Sequence, residues 1–382
     1  MKIALAHDWL NQMGGAENVL EQMVDLYPDA PVFTTIYGPE LMPDTYRHWP
    51  ITSTWLDRAP GVHRYHQPYL PLYPPAVSSL NFSGYDVILS NKSGFIHGLR
   101  HTPRQLHICY CLAPTRYVWN YEGYAQREGF GRWLGAAISP AIKKLQQWDF
   151  RVAQPTPNVH AEGQATNRVQ GVDHFIAISK DIQARIKTYY GRDSVIIYPP
   201  VDTTRFRPVE GEPQGDYYLI VSRLIPYKRI DLAVQVLSRL KRRLIVVGDG
   251  RDRAQLEQMA GPTVEFKGRL PWNDVVELMA NCRAFLFPGF EDFGIAPVEA
   301  QAAGRPVIAF AKGGALDTVI EHETGLFFRE QSVECLMEAI EQFETMTFDP
   351  ASARANAEKF SNARFKQQIS QFVEEKWQAF GR

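Results

Sequence analysis

The stretch Phe287-Pro288-Gly289-Phe290-Glu291-Asp292-Phe293-Gly294-Ile295-Ala296-Pro297-Val298-Glu299-Ala300 leaves an apolar strand, makes a Gly/Pro-rich turn and opens a helix. Gly294 lets backbone approach a ligand closely, and Pro297 is tolerated in a first helical turn, where its missing N–H is no loss. Free N–H groups at such a helix start suit a phosphate. Glu299, about one turn inside, can accept hydrogen bonds from vicinal ribose hydroxyls, and Glu291, ahead of the helix, can contact a sugar. A bare Glu-x7-Glu pair arises by chance in a chain rich in Glu; strand, turn, glycine and helix start around it supply the meaning.

A second group is Val221-Ser222-Arg223-Leu224-Ile225-Pro226-Tyr227-Lys228-Arg229. Arg223 and Lys228 follow a strand, at the carboxyl edge where open α/β sheets bind ligands. Arg offers a fork for phosphate oxygens and Lys a mobile point charge, a pair fitted to a departing diphosphate. Two solvated loop cations are the competing reading. Val247-Gly248-Asp249-Gly250 marks a glycine-bearing strand end at the same edge, although a lone G-x-G is a weak signal. Near the start, His7-Asp8-Trp9-Leu10-Asn11-Gln12-Met13-Gly14-Gly15-Ala16-Glu17 leads from the first strand into a helix. Gly14 and Gly15 can present backbone amides to a diphosphate, with a plain tight turn as the alternative.

The elements that must position these residues alternate short β-rich runs with helical patterns, the mark of parallel α/β layers. Expected strands in the first half are Lys2–Ala6, Pro31–Tyr37, Tyr85–Ser90, Leu106–Cys111, Asp173–Ser179 and Val195–Tyr198. The aromatic, Pro-rich stretch 41–80 has no assignment, and 154–171 reads as an exposed loop or hairpin. Pro199-Pro200 and the Gly211–Gly215 segment look like a linker. Beyond it, strands at Tyr217–Ser222, Leu244–Gly248, Val264–Gly268, Ala284–Phe287 and Pro306–Ala309 alternate with helices at Ile230–Leu240, Arg251–Met259, Trp272–Asn281, from Ile295 and from Gly314. Helices over 331–345 and 362–379 close the chain; the last places Phe365, Ile369, Phe372 and Trp377 near one another on a helical face, as a docking helix would.

These stretches resemble the retaining glycosyltransferases of family 4, and most of all a bacterial mannosyltransferase-type subgroup. The resemblance runs over nearly the whole chain and is strongest from Tyr217 to Phe328. Gln301-Ala302-Ala303-Gly304-Arg305-Pro306-Val307-Ile308-Ala309 and Ala113-Pro114-Thr115-Arg116-Tyr117-Val118-Trp119 also carry it. It implies an α/β, GT-B fold: two Rossmann-like domains facing across a cleft, with the C-terminal helix crossing back to the N-terminal domain. The expected domains are 1–205 on the acceptor side, 206–360 for the nucleotide sugar, and a docking helix at 361–382.

By the same resemblance, Arg223 and Lys228 bind the donor diphosphate, Glu299 the ribose and Glu291 the sugar, with Glu291 placed among the catalytic residues. Gly14, Gly15, Gly268, Asp292, Phe293, Gly294 and Ile295 complete the donor-binding set, with Lys267 to Arg269 bordering the base. The wider family often has a histidine after the strand ending near Cys111, where this chain has Leu112. His97 is the nearest substitute and the second catalytic candidate, against an ordinary polar histidine.

The implied function is retaining transfer of a hexose, first of all mannose from GDP-mannose, to a saccharide or lipid-linked saccharide acceptor of cell-surface polysaccharide synthesis. UDP-hexoses are the next donors, and a sugar-nucleotide epimerase on the same fold is the alternative, since fold does not fix reaction. A catalytically silent binding subunit is opposed by the intact Arg223, Lys228, Glu291 and Glu299 set. No Asp-x-Asp occurs in the chain, so no metal and no cofactor beyond the donor is expected. An NAD-dependent oxidoreductase fits poorly without a complete G-x-G-x-x-G after either domain's first strand.

Bulk properties agree. The 382 residues suit two domains, and a net charge of -1 gives no electrostatic case for nucleic acid. Cys109, Cys111, Cys282 and Cys335 have no zinc-ligand spacing and read as packed core thiols in a reducing compartment. The first strand reaches polar residues at once, unlike a signal peptide, and no long apolar run spans a bilayer, so the expected location is cytoplasmic. Arg132, Trp133, Lys143, Lys144 and Trp148 form a basic, aromatic stretch readable as a peripheral membrane face or as a solvated helix with one packed side.

Overall fold

The computed structural model describes residues 1–119, 132–156, 169–209 and 215–380. The chain divides into two compact units, Met1–Tyr198 with Lys366–Arg382, and Pro199–Phe365. The break thus falls at the Pro199-Pro200 pair of the expected linker. Most of the second half of that linker reading, residues 211–214, lies outside the described residues, as does 157–168 of the expected loop.

The first unit holds a seven-stranded sheet in the order β3-β2-β1-β4-β5-β6-β7. Its strands are β1 Ile3–His7, β2 Val32–Thr34, β3 Ile51–Ser53, β4 Val87–Lys92, β5 Leu106–Cys111, β6 His174–Ala177 and β7 Ser194–Ile196. The second unit holds six strands in the order β10-β9-β8-β11-β12-β13, with β8 Tyr218–Val221, β9 Leu244–Val247, β10 Val264–Gly268, β11 Ala284–Phe287, β12 Val307–Phe310 and β13 Gly325–Phe328. Every pairing is parallel. Both sheets reverse strand order beside their first strand, between β1 and β4 and between β8 and β11. In doubly wound sheets that reversal opens a crevice at the carboxyl edge, where ligands bind.

Parallel strands covered on both faces read as continuous apolar runs, and β4, β5, β9 and β11 are buried throughout. The helix Ile230–Leu240 shows how a covering layer is held. Ile230, Ala233, Val234 and Leu237 recur at helical spacing and are buried with Tyr218, Val246 and Leu286. A fully buried Leu, Ile or Val side chain contributes about 1.5–3 kcal/mol.

Two strands escape the sequence reading. The three-residue β3 lies inside the unassigned 41–80 stretch and edges the first sheet, too short for any period to show. β13 edges the second sheet; its Gly325 is there because a Cβ would lie 2.0 Å from the Val307 carbonyl oxygen. The rest of 41–80 is mainly 3₁₀ turns with one short helix, Tyr73–Ser78. A helix at Pro350–Glu358 was also unforeseen.

The terminal helix Asn362–Phe380 belongs to the first unit from Lys366 onward. There Lys366 pairs with Asp25, and Phe372 meets His174 edge-on with ring centroids 6.1 Å apart. Its buried stripe is Phe365, Ile369 and Val373, whereas Phe372 and Trp377 are half-buried beside it. Cys109, Cys111 and Cys282 are buried free thiols as expected; Cys335 is half-buried at the margin of the second core.

Candidate functional site

In the second unit, the carboxyl ends of β8 and β11 bring the expected residues together. Arg223 follows β8, is exposed, and has no ion pair among the described residues. Lys228 ends the turn Pro226–Lys228, and its ammonium pairs with the Glu291 carboxylate. Glycines set the approach of the loops. A Cβ at Gly289 would lie 2.8 Å from Lys228 Cα, and one at Gly248 would lie 1.8 Å from the Ser222 carbonyl oxygen. The Val247–Gly250 motif therefore packs against the Arg223 loop: Leu224 N–H donates to Asp249 O at 3.0 Å. Gly289 went unnoticed as a site residue although it stands in the quoted motif.

Gly294 caps the helix Ile295–Ala302 at φ 92°, ψ 85°, and a Cβ there would also meet Phe287 at 2.8 Å. Only glycine serves both demands. Asp292 and Phe293, which lead into this turn, are buried. The Phe293 ring packs on Phe360 at 5.6 Å, so its side chain belongs to the core and is not offered to a ligand. Gly268 ends β10 with φ 66°, and its carbonyl accepts from Gly248 N–H at 2.7 Å.

Glu299, one turn inside this helix, is half-buried, and no described side chain or amide hydrogen-bonds its carboxyl group. Burial pushes its pKa up to about 7; Arg205 opposes the shift and Asp202 adds to it. An acceptor pair held this way is ready for ligand hydroxyls. The Gln301 to Ala309 block plays another part. Gln301 is fully buried and donates to Pro297 O and Thr318 O, while Asn356 donates to Gln301 Oε1 at 2.7 Å. These bonds fix the helix that carries Glu299.

In the first unit, the carboxylate at the corresponding edge is taken up by the chain itself. Asp8, fully buried after β1, accepts from the backbone N–H groups of Ser93, Gly94, Phe95 and Ile96 at 2.6–2.8 Å. His7 Nε2 lies 3.3 Å from Glu17 Oε1, both buried. Gly14 and Gly15 are exposed at the start of the helix Gly15–Leu26, above Glu17. Gly14 has an extended backbone that any residue adopts; its constraint is space, since a Cβ would stand 3.3 Å from Glu17 Oε2.

Beyond β4 and β5 lies a buried network that the sequence reading missed. Lys92, with no exposed surface, donates to Ala113 O and Thr115 Oγ1, each at 3.1 Å. The Thr115 hydroxyl lies 2.5 Å from Asp149 Oδ1, and Trp119 Nε1 and the Tyr190 hydroxyl donate to Asp149 Oδ2 at 2.6 and 2.7 Å. Asp149 stands on the long helix Arg132–Val152, 34 residues from Thr115, so no local spacing announces it.

His97 sits in the same interior. It is fully buried near Trp148 and Tyr190, with Nε2 3.4 Å from Asp149 Oδ1. Desolvation holds its pKa well below the ordinary value, with Lys92 and His107 adding to the effect. A neutral ring with no opening to solvent does not reach an acceptor, so the catalytic reading of His97 gives way to a core histidine. Trp148 is likewise a packing residue: a Cβ at Gly98 would lie 2.3 Å from its ring. Of the basic, aromatic stretch, Lys143 and Lys144 are exposed, and the side chains of Arg132 and Trp133 lie outside the described residues.

Both sheets are doubly wound, and the second carries cations and carboxylates at its carboxyl edge, where open α/β sheets bind ligands. The family model for glycosyl transferases group 1 matches residues 202–360. A GDP-mannose-dependent monoacylated alpha-(1-6)-phosphatidylinositol monomannoside mannosyltransferase of Corynebacterium glutamicum is 31% identical over 256 residues, covering 56% of this chain and 67% of that protein. The GDP-mannose-dependent alpha-(1-6)-phosphatidylinositol monomannoside mannosyltransferase of Mycobacterium tuberculosis is 31% identical over 200 residues, covering 44% of this chain and 52% of the other. Among solved structures, Anabaena HepE in complex with UDP aligns with a TM-score of 0.69 at 19% identity, over 98% of this chain and 100% of that one. The fold is GT-B. The chain belongs to the group 1 glycosyl transferases and is a glycosyltransferase of the family 4, mannosyltransferase-like type.

Proposed function

We propose that this chain transfers mannose from GDP-mannose, with retention and without a metal ion, to a saccharide or lipid-linked saccharide acceptor in cell-surface polysaccharide synthesis. One observation carries the reading: an exposed Arg223, the Lys228–Glu291 pair and the unbonded Glu299 carboxyl gather at one carboxyl edge of the second unit. The GDP-mannose dependence in the names of both mannosyltransferase relatives supports the donor, and their phosphatidylinositol mannoside acceptors support a lipid-linked one. Such an acceptor places the reaction at a membrane surface, although no described helix is long and apolar enough to cross a membrane.

In this reading Glu299 accepts from the ribose hydroxyls, and Arg223 and Lys228 hold the diphosphate. The amides of Gly294 and Ile295, with the neighbouring Asp292 and Phe293 backbone, meet the phosphate and sugar at the helix start. Gly268 borders the base, and Gly14 and Gly15 remain candidates for backbone contact with phosphate or acceptor. The acceptor oxygen bonds to the anomeric carbon as the bond from that carbon to the phosphate oxygen breaks. The electron pair leaves with GDP, whose phosphate oxygen takes the acceptor proton. Positive charge placed in advance stabilises the leaving group, with Glu291 positioning the sugar. Among the described residues no group of three or more His, Cys, Asp or Glu is arranged to hold a metal ion.

Thermal unfolding against GDP, UDP, ADP and dTDP, each with and without its hexose, tests the donor. A ligand at about 100 times its dissociation constant adds about 2.7 kcal/mol of stability. Selective protection by GDP and GDP-mannose is the expected result; selective protection by UDP changes the donor, and no protection by any nucleotide overturns the donor site. With a donor and acceptor in hand, Arg223→Ala is expected to slow transfer about 100-fold or more, as loss of a transition-state charge partner does. An inverted product by NMR rules out retention, and conversion of GDP-mannose without any acceptor favours the epimerase.

A further inference from the structure

Lys228 and Glu291 reach each other from different loops, one after β8 and one after β11. Their side chains are only 12% and 24% exposed. Glycines bring the two loops into close contact. The Gly289 Cα packs on the Lys228 backbone, where a Cβ would meet the Lys228 carbonyl oxygen at 3.0 Å. On the far side, Gly314 N–H donates to Glu291 O at 2.9 Å, and a Cβ at Gly313 would stand 2.3 Å from that same oxygen. The two backbones are thus held close together, with the carboxylate beside the ammonium.

That neighbour matters to any diphosphate that comes to Lys228. With a sugar attached, the terminal phosphate is a diester-like group carrying one negative charge, and sugar hydroxyls donate to Glu291. Without the sugar, the same phosphate gains charge at neutral pH and offers the carboxylate no donor. Like charges brought into one half-buried place repel, and Lys228 is asked to serve both. Resting on the reading of this edge as the donor site, we infer that Glu291 is a specificity-determining residue that discriminates against a nucleoside diphosphate lacking its sugar. Its charge weakens the hold on the spent diphosphate after transfer and so favours release.

The test is calorimetric titration of GDP and GDP-mannose, with UDP and UDP-glucose in parallel, into the full chain and its Glu291→Gln, Glu291→Ala and Lys228→Met variants. Removing the carboxylate is expected to tighten binding of the bare diphosphate by about 5–10-fold, the size of a partly screened charge contact. Binding of the sugar-bearing donor should not tighten, so the preference for it shrinks. Lys228→Met should weaken both. Unchanged or weaker diphosphate binding in both Glu291 variants, with normal binding by the unaltered chain, overturns this inference alone. If the unaltered chain binds none of the four nucleotides, the donor-site reading falls and the inference falls with it.

Discussion

The two units carry charged residues at equivalent edges of equivalent sheets, and they treat them in opposite ways. At the end of β4, Lys92 is fully buried and is joined through Thr115 to Asp149, which also accepts from Trp119 and Tyr190. After β8, Arg223 is exposed without an ion pair among the described residues, and the Glu299 carboxyl has no hydrogen-bond donor there. A buried polar group must find partners inside the protein or cost stability. The first edge thus ties its Lys and Asp together inside the protein, whereas the second leaves Arg223 exposed and the Glu299 carboxyl without a donor, as the proposed donor site requires.

The largest effect that can break this contrast is Asp149→Ala. It leaves the Trp119 indole N–H and the Tyr190 hydroxyl without their acceptor, and losing a hydrogen bond to a charged group costs about 1.5–3 kcal/mol for each. Urea unfolding of the full chain should show the first unit's transition displaced by that amount while nucleotide binding by the second unit persists. A transition at the original denaturant concentration would mean that the network does not stabilise the first unit.

Glu299→Gln sharpens the other side. The folded-state pKa of Glu299, about 7, lies above its ordinary 4.5, so the folded unit holds this proton where the unfolded chain has released it. Stability contributed by the bound proton is complete below about pH 4.5 and is lost as pH rises through about 7. The Gln variant should remove that slope. It should also weaken GDP binding about 10-fold at pH 8, the loss expected when a charged acceptor of hydrogen bonds becomes neutral. In the unaltered protein, GDP binding should strengthen as pH rises from 6 to 8, and the variant should lose the Glu299 share of that rise. Equal pH profiles for the two proteins would remove Glu299 from the site.

The smallest effect is expected from His97→Asn. A buried neutral imidazole can be replaced with some loss of stability, yet transfer per folded molecule should stay within about 2-fold, because only packing is disturbed. A fall of 100-fold in kcat at unchanged stability would restore His97 as a catalytic residue and dissolve the contrast.

Much of the fold was legible. β5 was placed to the residue, and the alternation after Tyr217 gave five of the second sheet's six strands, because continuous apolar runs between turns leave a strong local signal. β3 and β13, both short strands at a sheet edge, were not. The Arg223, Lys228, Glu291, Gly294 and Glu299 set was legible because strand ends and helix starts place residue types in short segments. Asp8 and Asp149 were invisible: their partners lie 85–88 and 30–41 residues away.

The sequence by itself determined the two runs of strands and helices, the Pro199-Pro200 break and the residue types at each carboxyl edge. Only the tertiary structure decided which of those residues are sealed in the interior and which stay open at the edge. His97 and Glu299 are both polar groups in helical turns near strand ends, and local pattern does not separate them. One is sealed beneath Trp148 and Tyr190, and the other is left half-open with its carboxyl unbonded. Burial is a property of what packs around a side chain, and that packing is supplied by segments far away in the chain.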